Sequence, residues 1–142
     1  MATKKSSLIA LRIFTVLFSI PMVFGGIAEL VRAPQALEVM KAIGFPLYML
    51  TFLGVAKLLG VVAIATNRYP RLKEWAYAGF TFDLLGAAFC HASNGQAAAA
   101  VSPLVIGAVG AISYGLWRRT EGPNPLYLQA TSGAPKSVSV AR

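Results

Sequence analysis

Four long apolar stretches, Leu8–Val31, Pro46–Thr66, Trp75–Ala92 and Ala97–Trp117, are separated by short polar or Pro- and Gly-containing segments. A helix rising 1.5 Å per residue needs about 20 residues to cross a 30 Å hydrocarbon layer, and each stretch has about that length. Four such helices in a soluble protein would leave almost no polar face for water. The pattern therefore predicts an all-α integral membrane four-helix bundle over residues 1–121, followed by a flexible tail at 122–142 where Pro, Gly, Ser, Thr and Lys dominate. Lys4 and Lys5 before the first span imitate a secretory leader. The apolar run is long, however, and no clear small-x-small cleavage site follows, so the span is expected to be retained.

Punctuation refines the pattern. Pro21, followed by Gly25-Gly26, removes a backbone hydrogen bond inside the first span and predicts a kink. Ala36, Leu37, Met40 and Ile43 recur at helical spacing and predict a short helix lying on the outer surface. Asn67, Tyr69 and Pro70 stop the second span, and Ser93-Asn94-Gly95 turns the last two spans into an antiparallel hairpin.

Composition agrees with a membrane and changes the meaning of the charge. Of 142 residues, 56% are hydrophobic and 13% charged, with a formal charge of +8. Soluble domains run near 45–50% and 25%. With an even number of spans, Lys4, Lys5, Arg68, Arg71, Lys73, Arg118, Arg119, Lys136 and Arg142 fall on one side and only Arg32 and Lys41 on the other. The positive-inside rule then puts both termini in the cytoplasm and the chain in the cytoplasmic (inner) membrane as a multi-pass protein. Tyr69, Trp75, Tyr77, Tyr114 and Trp117 gather near the inner boundary, Phe45 and Tyr48 near the outer one. Arg12 is expected to snorkel to the inner interface. The basic charge thus speaks for anionic lipid as the partner and against nucleic acid.

Candidate chemistry is confined to a few polar residues within the spans. Lys57 lies nine residues from Thr66 and Asp83 eight from Trp75, which puts both about 12 to 14 Å deep. Their helices are joined by a short loop, so an ion pair between Lys57 and Asp83 is expected. Gly54 and Gly60 flank the lysine, Gly79 and Gly86 the aspartate, and these small residues favour close helix approach. Such a pair serves either to lock the helices or to take part in proton transfer, ligand binding or coupling. Glu29 and His91 are assigned to the outer end with Asn94 and Gln96, either as a hydrated helix-end network or as a ligand site and proton relay for a quinone head group. Cys90 reads as an inert small hydrophobe. With one cysteine and one histidine, the chain has no internal disulfide, CxxC pair or multi-histidine metal site, and no catalytic motif stands out. A haem would find at most His91 as one axial ligand.

The runs GVAKLLG (54–60), PRLKEWAYAGFTFDLLGAAFCHASNG (70–95), Ser102-Pro103 and SYGLWRR (113–119) resemble the DoxX-like family of small membrane proteins. The resemblance covers roughly residues 25–119 and implies a four-helix membrane fold, with Lys57, Glu74, Asp83 and His91 on the family's polar signature. Relatives include a subunit of a thiosulfate:quinone oxidoreductase, members of redox-stress assemblies and distant proteins that assist receptor assembly. The GGIAEL segment around Glu29 departs from the lysine-containing version found in many relatives. Pattern and resemblance together lead to a non-catalytic membrane subunit or quinone-facing anchor of a redox-linked assembly. The alternative is a membrane scaffold or assembly factor whose intramembrane charges are structural. Lipid, a membrane or redox protein partner and a second copy of the chain are the expected associates. A small-solute transporter is disfavoured, because four spans without an internal repeat make a poor alternating-access machine unless they oligomerise.

Overall fold

The computed structural model describes residues 2–66 and 68–121, so the expected tail and the Asn67 stop lie outside the described residues. The described chain is all-helical: α1 (Ala2–Leu30), α2 (Pro34–Ile43), α3 (Tyr48–Ala65), α4 (Pro70–Ser93) and α5 (Ala97–Thr120). The helices are therefore five, the extra one being the short α2 between the first two long ones. α1 starts well before the expected boundary at Leu8 and continues through Pro21 without interruption.

Local chemistry explains where the helices stop. Arg32 takes a left-handed conformation (φ 52) after α1, and the Ala33 N–H returns to the Ala28 carbonyl at 2.8 Å. Pro34, with its φ already suited to a helix and no N–H to satisfy, opens α2. Gly44 ends it at φ 74 while the Phe45 N–H reaches back to Met40 O at 3.0 Å. Gly95, also at φ 74, makes the reversal between α4 and α5.

α1, α3 and α5 are long and apolar enough to cross a membrane. Within α4, Tyr77, Thr81, Asp83 and His91 lower the average hydropathy, so the expected four spans become three by length and composition. The outward face of α4 is apolar nonetheless, with Phe82 77% and Phe89 73% exposed. The other long helices also turn outward large apolar side chains, such as Phe24, Phe52 and Val105. A soluble protein does not expose contiguous apolar surface on this scale. The chain is a multi-pass membrane protein in contact with lipid.

The four long helices pack in the cyclic order α1, α3, α4, α5, with the α3–α4 seam the most sparsely packed. Phe18, Met22, Ile64, Tyr77, Phe80 and Leu84 form the interior cluster. The Phe18 ring meets Phe80 edge-on at 5.3 Å and lies over Gly110, where a Cβ would come within 2.6 Å of it. Nearby, the fully buried Ser113 hydroxyl joins three helices, lying 2.9 Å from Thr15 Oγ1 and 2.8 Å from the Tyr77 hydroxyl.

Candidate functional site

Glu29 on α1 and Lys57 on α3 meet where the two antiparallel helices come closest. A Cβ placed on Gly54 would lie 2.8 Å from the Gly26 carbonyl oxygen, so only hydrogen fits between these backbones. Glu29 and Lys57 each follow their glycine by three residues, on the same helical face. Side chains on a helix lean toward its N-terminus, so in an antiparallel pair both lean back toward the crossing. The Lys57 ammonium accordingly donates to Glu29 Oε1.

Asp83 completes the group from α4. Its Oδ2 lies 3.5 Å from the Lys57 ammonium, and the side chains of Glu29, Lys57 and Asp83 are only 12%, 14% and 20% exposed. Two carboxylates around one ammonium leave a fully ionised group with one surplus negative charge. Glu29 Oε2 is buried and has no hydrogen-bond partner among the described residues. A buried acceptor left unsatisfied costs about 1–3 kcal/mol, and more when it is charged. Spending that energy here is a reason to look for a donor from outside the chain.

The three charged residues form one wall of a chamber of about 270 Å³. Cys90 and His91 of α4 line it as well, and Gly86 adds space, because nothing lies within 4 Å of where its Cβ would be. Met40 and Ile43 of α2, with Phe45 and Met49, supply apolar lining. The small outer helix anticipated from the spacing of residues 36–43 thus helps to line the chamber. His91 Nδ1 lies 3.0 Å from Gln96 Oε1. Glu29 and His91 line the same chamber, but no hydrogen bond joins them: Glu29 is held by Lys57 and His91 by Gln96. Sequence reasoning placed Lys57 and Asp83 at one depth and left Glu29 elsewhere. The signal it missed was the shared Gly-x-x-charge spacing of Gly26/Glu29 and Gly54/Lys57.

Glu74, the remaining member of the expected polar signature, lies apart from the chamber, where it accepts from Arg118 Nη1 at 2.5 Å and clasps α4 to α5. Lys73 lies beside it, ahead of the apolar stretch that begins at Trp75. It is 3% exposed, with its ammonium 5.2 Å from the Trp117 ring centroid. Burial pushes its pKa below the usual lysine range, and the nearby Glu121 carboxylate acts in the opposite direction. Arg12 is exposed on α1.

Comparison with known proteins gives a family. A model described as the DoxX-like family matches residues 13–113, which take in the whole chamber and all three charged residues. No curated protein matches the chain, and no solved structure does.

Proposed function

The chain belongs to the DoxX-like family, and from that premise we propose that it is the quinone-facing membrane anchor of a redox-linked assembly in the cytoplasmic membrane. The supporting observation is Glu29 Oε2, a buried acceptor without a donor among the described residues, on the wall of a chamber that is lined by both charged and apolar side chains. A ring with polar oxygens and an apolar edge suits such walls, and the hydroxyl of its reduced form is a donor for Glu29. Reduction of a quinone consumes two electrons and two protons. In this reading a partner protein supplies the two electrons, and Glu29 and His91 each take up a proton from solvent and pass it to a ring oxygen. The chain itself binds and orients the head group.

In the same reading α4 is the fourth span, supported by its apolar outward face, and both termini face the cytoplasm, supported by the clustering of basic residues at one end. The deciding experiment is a titration of the protein in nanodiscs with a tailless hydroquinone and its quinone, for wild type and Glu29→Gln. The reading expects tighter binding of the hydroquinone by wild type and loss of that preference in the variant. Absence of saturable binding of either form would overturn it. Partner capture that depends on Lys57 and Asp83, without quinone binding, would favour the scaffold reading.

A further inference from the structure

A second cavity, of about 560 Å³, runs along the outside of the sparsely packed α3–α4 seam. It shares Leu53, Lys57, Phe82 and Asp83 with the chamber, so the two spaces adjoin at these four residues. Among the described residues, Lys57 and Asp83 are the only charged ones lining it. From Phe52 to Ala63 along α3 it extends about 16 Å at 1.5 Å per residue. Small residues make the depression: Ala56 and Ala63 on α3, Gly79 on α4. Phe52, Leu59 and Trp75 stand exposed around it.

Small residues on facing helices usually bring the backbones together. Gly60 instead receives the Phe80 ring, from which a Cβ there would lie 2.7 Å. Gly79 receives no neighbour, for nothing lies within 4 Å of its Cβ position. The seam is thus left open beside Gly79 and charged only where it adjoins the chamber. An occupant of this shape has a polar head and a long apolar body. We propose that the α3–α4 groove is the binding site for the apolar tail of the lipid-soluble molecule whose head enters the chamber, with Leu53 and Phe82 flanking the passage between them. This rests on the quinone reading for the head and adds to it the path of the tail and entry sideways from the bilayer. The four lining residues that the two cavities share bring the charged end of the groove against the chamber, which favours one molecule reaching both over a loosely held membrane lipid or a second copy of the chain.

Gly79 and Gly86 separate the two halves experimentally. Leucine at Gly79 fills the groove and leucine at Gly86 fills the chamber, and neither Cβ meets a neighbour. The probe is a decyl-tailed benzoquinone with a diazirine at the end of the tail, photolysed with the protein in phosphatidylglycerol-containing nanodiscs. Binding of a tailless benzoquinone is followed in parallel by thermal shift. The expected result is labelling of residues 56–63 and 72–79, competed by unlabelled decylquinone and lost in both Gly79→Leu and Ala56→Leu. The tailless shift survives in these two variants and disappears in Gly86→Leu. Labelling that persists in the groove variants, or spreads equally over α1 and α5, overturns the tail site while the retained tailless shift leaves the head reading standing. If neither probe gives a saturable signal, the head reading falls and the tail site with it.

Discussion

Glu29 and Lys57 stand one helical turn past Gly26 and Gly54, on opposite sides of the point at which antiparallel α1 and α3 touch, and form their ion pair across it, so the charge contact is fixed by the backbone contact. The arrangement couples two properties usually discussed separately, helix packing and intramembrane charge. Lys57 is shared with Asp83 of α4, and Glu29 Oε2 is left without a donor among the described residues.

Removing the shared cation has the largest expected cost. Lys57→Met leaves two carboxylates facing each other in a largely dry site, and breaking a buried pair on one side typically costs about 3–5 kcal/mol. The double variant Glu29→Gln/Lys57→Met removes the contact together with one of its charges. Thermal unfolding in one detergent is expected to rank Lys57→Met below the double variant, and the reverse order would count against a shared cation.

The same substitution at two kinds of glycine is expected to act with opposite sign. Gly54→Ala drives a methyl into the Gly26 carbonyl and pushes α1 from α3, while Gly79→Ala and Gly86→Ala meet nothing. In the last two the helix gains about 0.8–1.0 kcal/mol of intrinsic propensity. Melting temperatures should fall for the first and stay level or rise for the others; a uniform loss would mean that the seam at Gly79 is closed.

The contacts that position these helices were only partly legible in the sequence. Spacing at 36, 37, 40 and 43 revealed α2, and Ser93-Asn94-Gly95 revealed the α4–α5 reversal, because turn and face chemistry are local. Counting residues put Lys57 and Asp83 level, since rise along a straight helix is fixed. Glu29 escaped because its partner depends on where two helices cross, and a count along one helix does not give that point. The chamber escaped for a related reason: it exists only once α2 folds back over the ends of α1, α3 and α4.

Ser113 should matter more than either of its partners. Ser113→Ala removes both hydrogen bonds that meet at its hydroxyl, whereas Tyr77→Phe leaves the Thr15–Ser113 bond in place. Individual interhelical hydrogen bonds in membranes average about 0.6 kcal/mol. Thermal denaturation is expected to show the serine variant below the tyrosine variant, and equal losses would deny it the bridging role.

Lys73 should give the protein an alkaline stability response. The unfolded lysine keeps its proton to about pH 10.4, and the folded one releases it earlier because burial disfavours the charge. Between the lowered folded value and about 10.4 the unfolded state binds more protons, so this residue's contribution to stability rises with pH. The stability of wild type relative to Lys73→Met should therefore increase from neutral pH toward pH 10. A difference that is flat with pH would contradict the assignment.

The most direct test of the account is mass spectrometry of small molecules that co-purify with the protein in lipid nanodiscs, comparing wild type with Gly86→Leu and His91→Ala. The account predicts a quinone or hydroquinone with wild type, lost when leucine fills the chamber and reduced when the imidazole is removed. A quinone retained equally by all three proteins, or absent from wild type, would contradict the claim that the chamber behind Glu29, Lys57 and Asp83 holds a quinone head.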